Sequence, residues 1–117
     1  MTVEIREKED GEIIIVELYG ELDSSAVAAF TLRFGEISGK HGPLKYVLDL
    51  KGLEFISSAG WTAFLNECKQ LRASGGDLKL AAMRPDSKRV YTLVGINGVI
   101  ESHETVKEAV KSYAKKG

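Results

Sequence analysis

Apolar positions along this chain change period several times, and each change marks an element. The stretch "TVEIREKEDGEIIIVELYG" reads as two strands around "EDG", because Asp10-Gly11 is a strong tight-turn signal and Ile13 to Tyr19 is rich in β-branched residues. Past Gly20 the spacing becomes helical: Val27, Phe30, Phe34 and Ile37 follow the N-cap residues Asp23-Ser24-Ser25, which predicts a helix over Ser24 to Ser38 before the "SGKHGP" break. "LKYVLDL" is short and apolar enough for a buried strand. Trp61, Phe64, Leu65, Cys68 and Leu71 then mark one face of a second helix that ends near "ASGG", with Gly75 placed to terminate it.

"DLKLAAM" predicts a fourth strand, and Pro85 the first turn of a short helix carrying Val90, Leu93 and Val94 and stopping at Gly95. A brief extended piece is expected at "GVI". Thr105 and Glu108 have capping-box spacing, and Val106, Ala109, Val110 and Tyr113 form the inner stripe of a last helix, with the final "KKG" expected to fray. Strands alternating with helices require right-handed crossovers. The expected fold is therefore α/β: a mixed, mostly parallel sheet of four or five strands, an N-terminal hairpin and about four helices, in one domain over residues 1–117.

Composition narrows the function. With 117 residues, 44% of them hydrophobic, the chain can enclose one core. Its 16 basic and 17 acidic residues leave a formal net charge of -1, so no global field draws it to nucleic acid or to anionic lipid, and neither is an expected partner. The charged "MTVEIREKEDGE" is unlike a secretory signal, and no segment approaches the length of a membrane span, so a cytoplasmic location is expected. Cys68, the single cysteine, has no partner for a disulfide and falls on an apolar stripe, where it reads as core.

Candidate chemistry gathers where strands lead into helices, in "GELDSS" and in "KGLEFISSAGW". One of Ser57 and Ser58 can cap the second helix, but one cap needs one serine. A free hydroxyl beside a helix N-terminus suits a phosphate, because exposed N–H groups and the helix dipole favour negative charge. Asp23 is most simply the N-cap of the first helix and Asp49 a polar residue at a strand end. As a pair they lack the adjacent acids and the lysine that a phospho-acceptor receiver needs. Trp61 can be read as core or as a partly exposed anchor. Gly-x-Ser-x-Gly, phosphate-loop, dinucleotide-binding and zinc spacings are absent, and His41 and His103 are expected in turns. No enzyme activity, cofactor or resident metal is expected.

Taken together, "GELD", "VLDLKGLEFISSAG", "ASGGDLKLAAM" and "VGINGVI" resemble the STAS domain of bacterial anti-sigma factor antagonists over Val3 to Tyr113. The resemblance implies a protein that binds an anti-sigma factor which is also a serine kinase. The kinase phosphorylates one serine of the antagonist with ATP and Mg²⁺, the complex separates, and a serine phosphatase resets it. Laid on this chain, the family pattern makes Ser58 the acceptor; Ser57 stands where an aspartate is usual, and Ala59 replaces a second hydroxyl. Asp23 matches the family's loop aspartate. The implied partner surface is Asp23, Ser24, Ser57, Ser58, Ala59, Gly60 and Trp61, on a monomer or, alternatively, a dimer. The same fold also serves as an unphosphorylated docking module in signalling or lipid-transport assemblies.

Overall fold

In the computed structural model, which describes residues 3–42 and 44–114, the two periods resolve into one sheet with helices on both faces. The strands are β1 (Val3–Asp10), β2 (Ile13–Leu22), β3 (Lys45–Ile56), β4 (Asp77–Ala81) and β5 (Ser102–His103), lying side by side in that order. The β1–β2 pair is antiparallel and the other three pairs are parallel. The helices are α1 (Val27–His41), α2 (Ser58–Ala73), α3 (Pro85–Leu93) and α4 (Val106–Ala114). The expected α/β class, hairpin and helix number are therefore those observed.

Strand alternation divides the core. Ile14, Val16 and Leu18 of β2, with Tyr46, Leu48 and Leu50 of β3, face the larger cluster built with Phe30 and Phe34 of α1 and Phe64 and Cys68 of α2. Ile15, Val47 and Ala81 point the other way, onto Ala109 and Tyr113 of α4. Successive strand residues point to opposite faces, so a sheet covered on both sides must be apolar at nearly every position.

Five expectations are corrected. The helix expected over Ser24–Ser38 begins at Val27 and continues to His41. The "SGKH" part of that break stays helical because Lys40 and His41 both reach Glu7 on β1, at 2.8 and 2.7 Å, and the helix ends only at Gly42, where φ is 87°. His41 thus ends α1, and His103 lies in β5, rather than in turns. Pro43 of that stretch and the final "KKG" lie outside the described residues.

The third strand is longer than "LKYVLDL", running twelve residues to Ile56, because β2 pairs with it as far as Leu22 with Ile56. "GVI" is not extended: Ile96–Gly98 forms a 3₁₀ turn, Ile100 is buried beneath it, and the short strand is Ser102–His103. Finally, Val90, Leu93 and Val94 face outward; α3 is anchored instead by Tyr91, whose ring lies 6.1 Å from that of Trp61 and whose hydroxyl donates to the Ile100 carbonyl.

Helix α1 carries Gly35 and Gly39 in its interior, and a Cβ built on either meets nothing within 4 Å. The fold does not need these glycines, and each costs the helix backbone entropy. Gly39→Ala should therefore raise the unfolding free energy by about 1 kcal/mol in a urea titration, with an unchanged slope.

Candidate functional site

Parallel pairing places the carboxyl ends of β2 and β3 together, so the loop beginning at Asp23 and the start of α2 leave the sheet side by side. The contact between them is close. A Cβ on Gly60 would lie 2.8 Å from the Leu22 carbonyl oxygen and 3.0 Å from Ile56 Cγ2, so only glycine lets the first turn of α2 sit against the end of β2.

Ser57 completes the join. Its backbone N–H donates to the Leu22 carbonyl at 2.9 Å, its hydroxyl donates to the same oxygen at 3.1 Å, and its Oγ accepts from the Gly60 N–H at 3.1 Å. Ser57 is the N-cap of α2. Ser58, the next residue, is exposed, and its hydroxyl makes no hydrogen bond among the described residues; only its carbonyl is engaged, by Thr62 Oγ1 at 3.0 Å. Ser58 and Ala59 occupy the first two helical positions, whose amides have no intrahelical acceptor. The two serines thus divide the work, one holding the helix and the other presenting a hydroxyl beside open N–H groups.

Asp23 is half-buried and is not the N-cap of α1. Its Oδ1 accepts from Ser25 Oγ at 2.7 Å and from the Ala26 N–H at 3.1 Å, closing a turn ahead of the helix, whose N-cap position, Ala26, has no side-chain cap. The Ser25 hydroxyl, followed by the Ala26 amide, holds the Asp23 carboxyl below its ordinary range, so it is charged at neutral pH. Ser24 is exposed on the same turn. Asp49 lies within β3, not at its end, and accepts from the Lys51 amide at 3.1 Å.

The remaining members of the expected surface lie deeper. Ala59 is half-buried, Gly60 is buried, and Trp61, 4% exposed, packs edge-on against Phe64 with ring centroids 5.7 Å apart. Its indole Nε1 is buried without an acceptor among the described residues. Trp61 therefore supports this corner from within.

Two residues not singled out in the sequence belong to the region. Phe55 is 50% exposed at the end of β3; simple alternation places it inward with Leu53, but the register slips between Gly20 and Glu21 and turns it out. Glu67 is 8% exposed on α2, with no hydrogen bond or ion pair among the described residues, and burial alone pushes its carboxyl above the ordinary range. A single acid on an apolar stripe carries no pattern to reveal it.

The family model for the STAS domain matches residues 4–109. The chain belongs to the STAS domain family. The anti-sigma F factor antagonist of Paenibacillus polymyxa is 26% identical over 96 residues, 82% of each protein. Among solved structures, an anti-sigma factor antagonist from Mycobacterium paratuberculosis superposes with a TM-score of 0.84 at 21% identity, covering 94% of this chain and 92% of its own. The Bacillus cell fate determinant SpoIIAA in its phosphorylated form gives 0.70 at 21% identity, over 94% and 99%. These likenesses show that this STAS chain shares the fold of those proteins.

Substitutions separate the roles of the two serines. Ser57→Ala removes the cap and should lower stability by about 1–2 kcal/mol, whereas Ser58→Ala should change it by under about 0.5 kcal/mol, as read by denaturant titration.

Glu67 generates a pH signature. Its folded pKa is raised above the ordinary 4.5, so its contribution to stability is fully present below that value and is lost as pH rises through the folded value. Glu67→Gln should therefore match wild type in acid and become more stable than wild type as pH rises across that window, a difference that paired thermal melts would show.

Proposed function

We propose that this STAS protein is an anti-sigma factor antagonist that binds a serine-kinase anti-sigma factor and is released from it by phosphorylation of Ser58. The observation that carries this reading is the free, exposed Ser58 hydroxyl at the start of α2, relieved of capping by Ser57. Ser57 accepts the Gly60 amide as an aspartate at the same position would, so the missing aspartate leaves no gap in the structure that presents the acceptor.

The partner surface comprises Asp23, Ser24, Ser57, Ser58 and Ala59, supported from below by Gly60 and Trp61, with Phe55 as an exposed aromatic nearby. The charge logic favours release. Phosphate adds about -1.5 to -2 charges at neutral pH, in a region where Asp23 is already ionised and Glu54 is exposed. Helix α2 tolerates that charge, since the open amides and the dipole stabilise it, while a partner face matched to the neutral hydroxyl does not. A loss of about 3 kcal/mol weakens binding roughly a hundredfold. The names of the relatives support the regulatory role, and the proposal assigns the protein no catalysis of its own. A serine phosphatase resets the switch. Among the described residues no helix is long and apolar enough to cross a membrane.

The test is incubation of the purified chain with the serine-kinase anti-sigma factor of its own genome, ATP and Mg²⁺. Mass spectrometry should place one phosphate on Ser58, and the complex should dissociate as it forms. Ser58→Ala should bind and stay bound, and Ser58→Asp should fold but bind weakly. A kinase that binds tightly and leaves Ser58 unmodified replaces the switch with a docking role for the domain.

A further inference from the structure

Helices α1 and α2 touch near the sheet, where Phe30 and Phe64 meet edge to face at 5.5 Å, and leave a cleft above that contact. The cleft consists of two hollows. One, of about 490 Å³, begins beside the proposed partner surface, where Ala59 and Val27 form its walls; the other, of about 310 Å³, continues past Gly35 and Gly39. Both are lined by Glu67 and Gln70. Among the described residues Glu67 is the one charged residue lining either hollow; the residue is 8% exposed and its carboxylate has no hydrogen-bond or ion-pair partner.

Each of these features costs the isolated protein stability. The largely buried Glu67 side chain carries a partial desolvation penalty that no hydrogen bond or ion pair among the described residues offsets. Gly35 and Gly39 weaken α1 although there is room for side chains at both positions. Their effect is to keep one wall of the cleft bare where the carboxylate lies. Residues that break local rules without gain to the fold mark a place where something else completes the structure.

We propose that the cleft receives a segment of the anti-sigma factor and that a lysine or arginine of that segment pairs with Glu67. The proposal rests on the function proposed above and adds to it a second contact, away from Ser58. Charge selects the side chain: among the described residues the lining offers one negative group and no positive one. Continuity selects the occupant, because Ala59 belongs both to the partner surface and to the near hollow, so a polypeptide docked at Ser58 can extend directly toward Glu67. The bare backbone at Gly35 and Gly39 gives it close approach to α1.

Two variants test this against the kinase used for phosphorylation. Glu67→Gln keeps shape and removes charge; it should weaken binding at least about tenfold and flatten its salt dependence, without loss of thermal stability. Gly35→Gln puts a side chain into the cleft from the opposite wall; it should raise the melting temperature through better helix propensity while weakening binding by a similar factor. Wild-type affinity in either variant overturns the proposal and leaves the Ser58 reading intact. So does a Glu67→Gln protein less stable than wild type at neutral pH, since Glu67 would then have a partner within the fold. A wild-type protein that does not bind the kinase at all sinks the functional reading, and this inference with it.

Discussion

The approach of Gly60 to the Leu22 carbonyl is the constraint on which the rest of this corner depends. Two elements distant in sequence meet there with no room for one methyl group. The same carbonyl oxygen receives both the N–H and the hydroxyl of Ser57, so the end of β2 and the start of α2 are bonded as well as packed. Once that join is made, the Asp23 turn and the α2 N-terminus cannot move independently. Trp61, one residue further on, is then driven into the core, where it meets Phe64 and Tyr91 and links α2 to α3.

That constraint leaves the Ser58 side chain free of any part in holding the domain together. The cap, the close packing and the strand pairing all run through Ser57, Gly60 and Leu22, and none of them uses the Ser58 side chain. Charge added to Ser58 falls on a helix end whose first amides are unoccupied, where it is favourable. For the partner proposed to dock here, the same charge would be unfavourable, since water must be stripped from the surface beside an ionised Asp23. In the proposed switch, phosphate would therefore act on the interface and leave the fold intact.

How much of this could be read from the residues alone depended on whether local spacing or a distant partner decides the outcome. The helical stripe of α2 and the Gly75 stop were legible because both are local: Gly75 has φ 94°, and the Gly76 amide reaches back to the Leu71 carbonyl. The capping signal at Thr105 held for the same reason, with its Oγ1 accepting from the Glu108 amide at 3.1 Å. The end of α1 was not legible, since a glutamate more than thirty residues away on β1 holds Lys40 and His41 in the helix. Nor was the outward turn of Phe55, which a slip in pairing with β2 produces. At the site, the choice between Ser57 and Ser58 as cap was open in sequence. The Leu22 carbonyl settles it, because only Ser57 is placed to bond across to the neighbouring strand.

The cleft between α1 and α2 extends this reasoning from the fold to its cost. A helix free to optimise its own stability has little reason to place glycines four residues apart in its interior, and a core has little reason to keep a lone acid. Filling α1 or neutralising Glu67 would stabilise the free chain, and both features lie on one cleft that begins beside Ala59. In the proposed complex, binding energy collected along the cleft would hold the partner by contacts that phosphate does not touch, so the Ser58 corner need contribute only the share that modification removes. On the two proposals together, such a partner would be released in steps: loss of the Ser58 contact would leave one end tethered at Glu67, and the remaining affinity would set how quickly the complex separates.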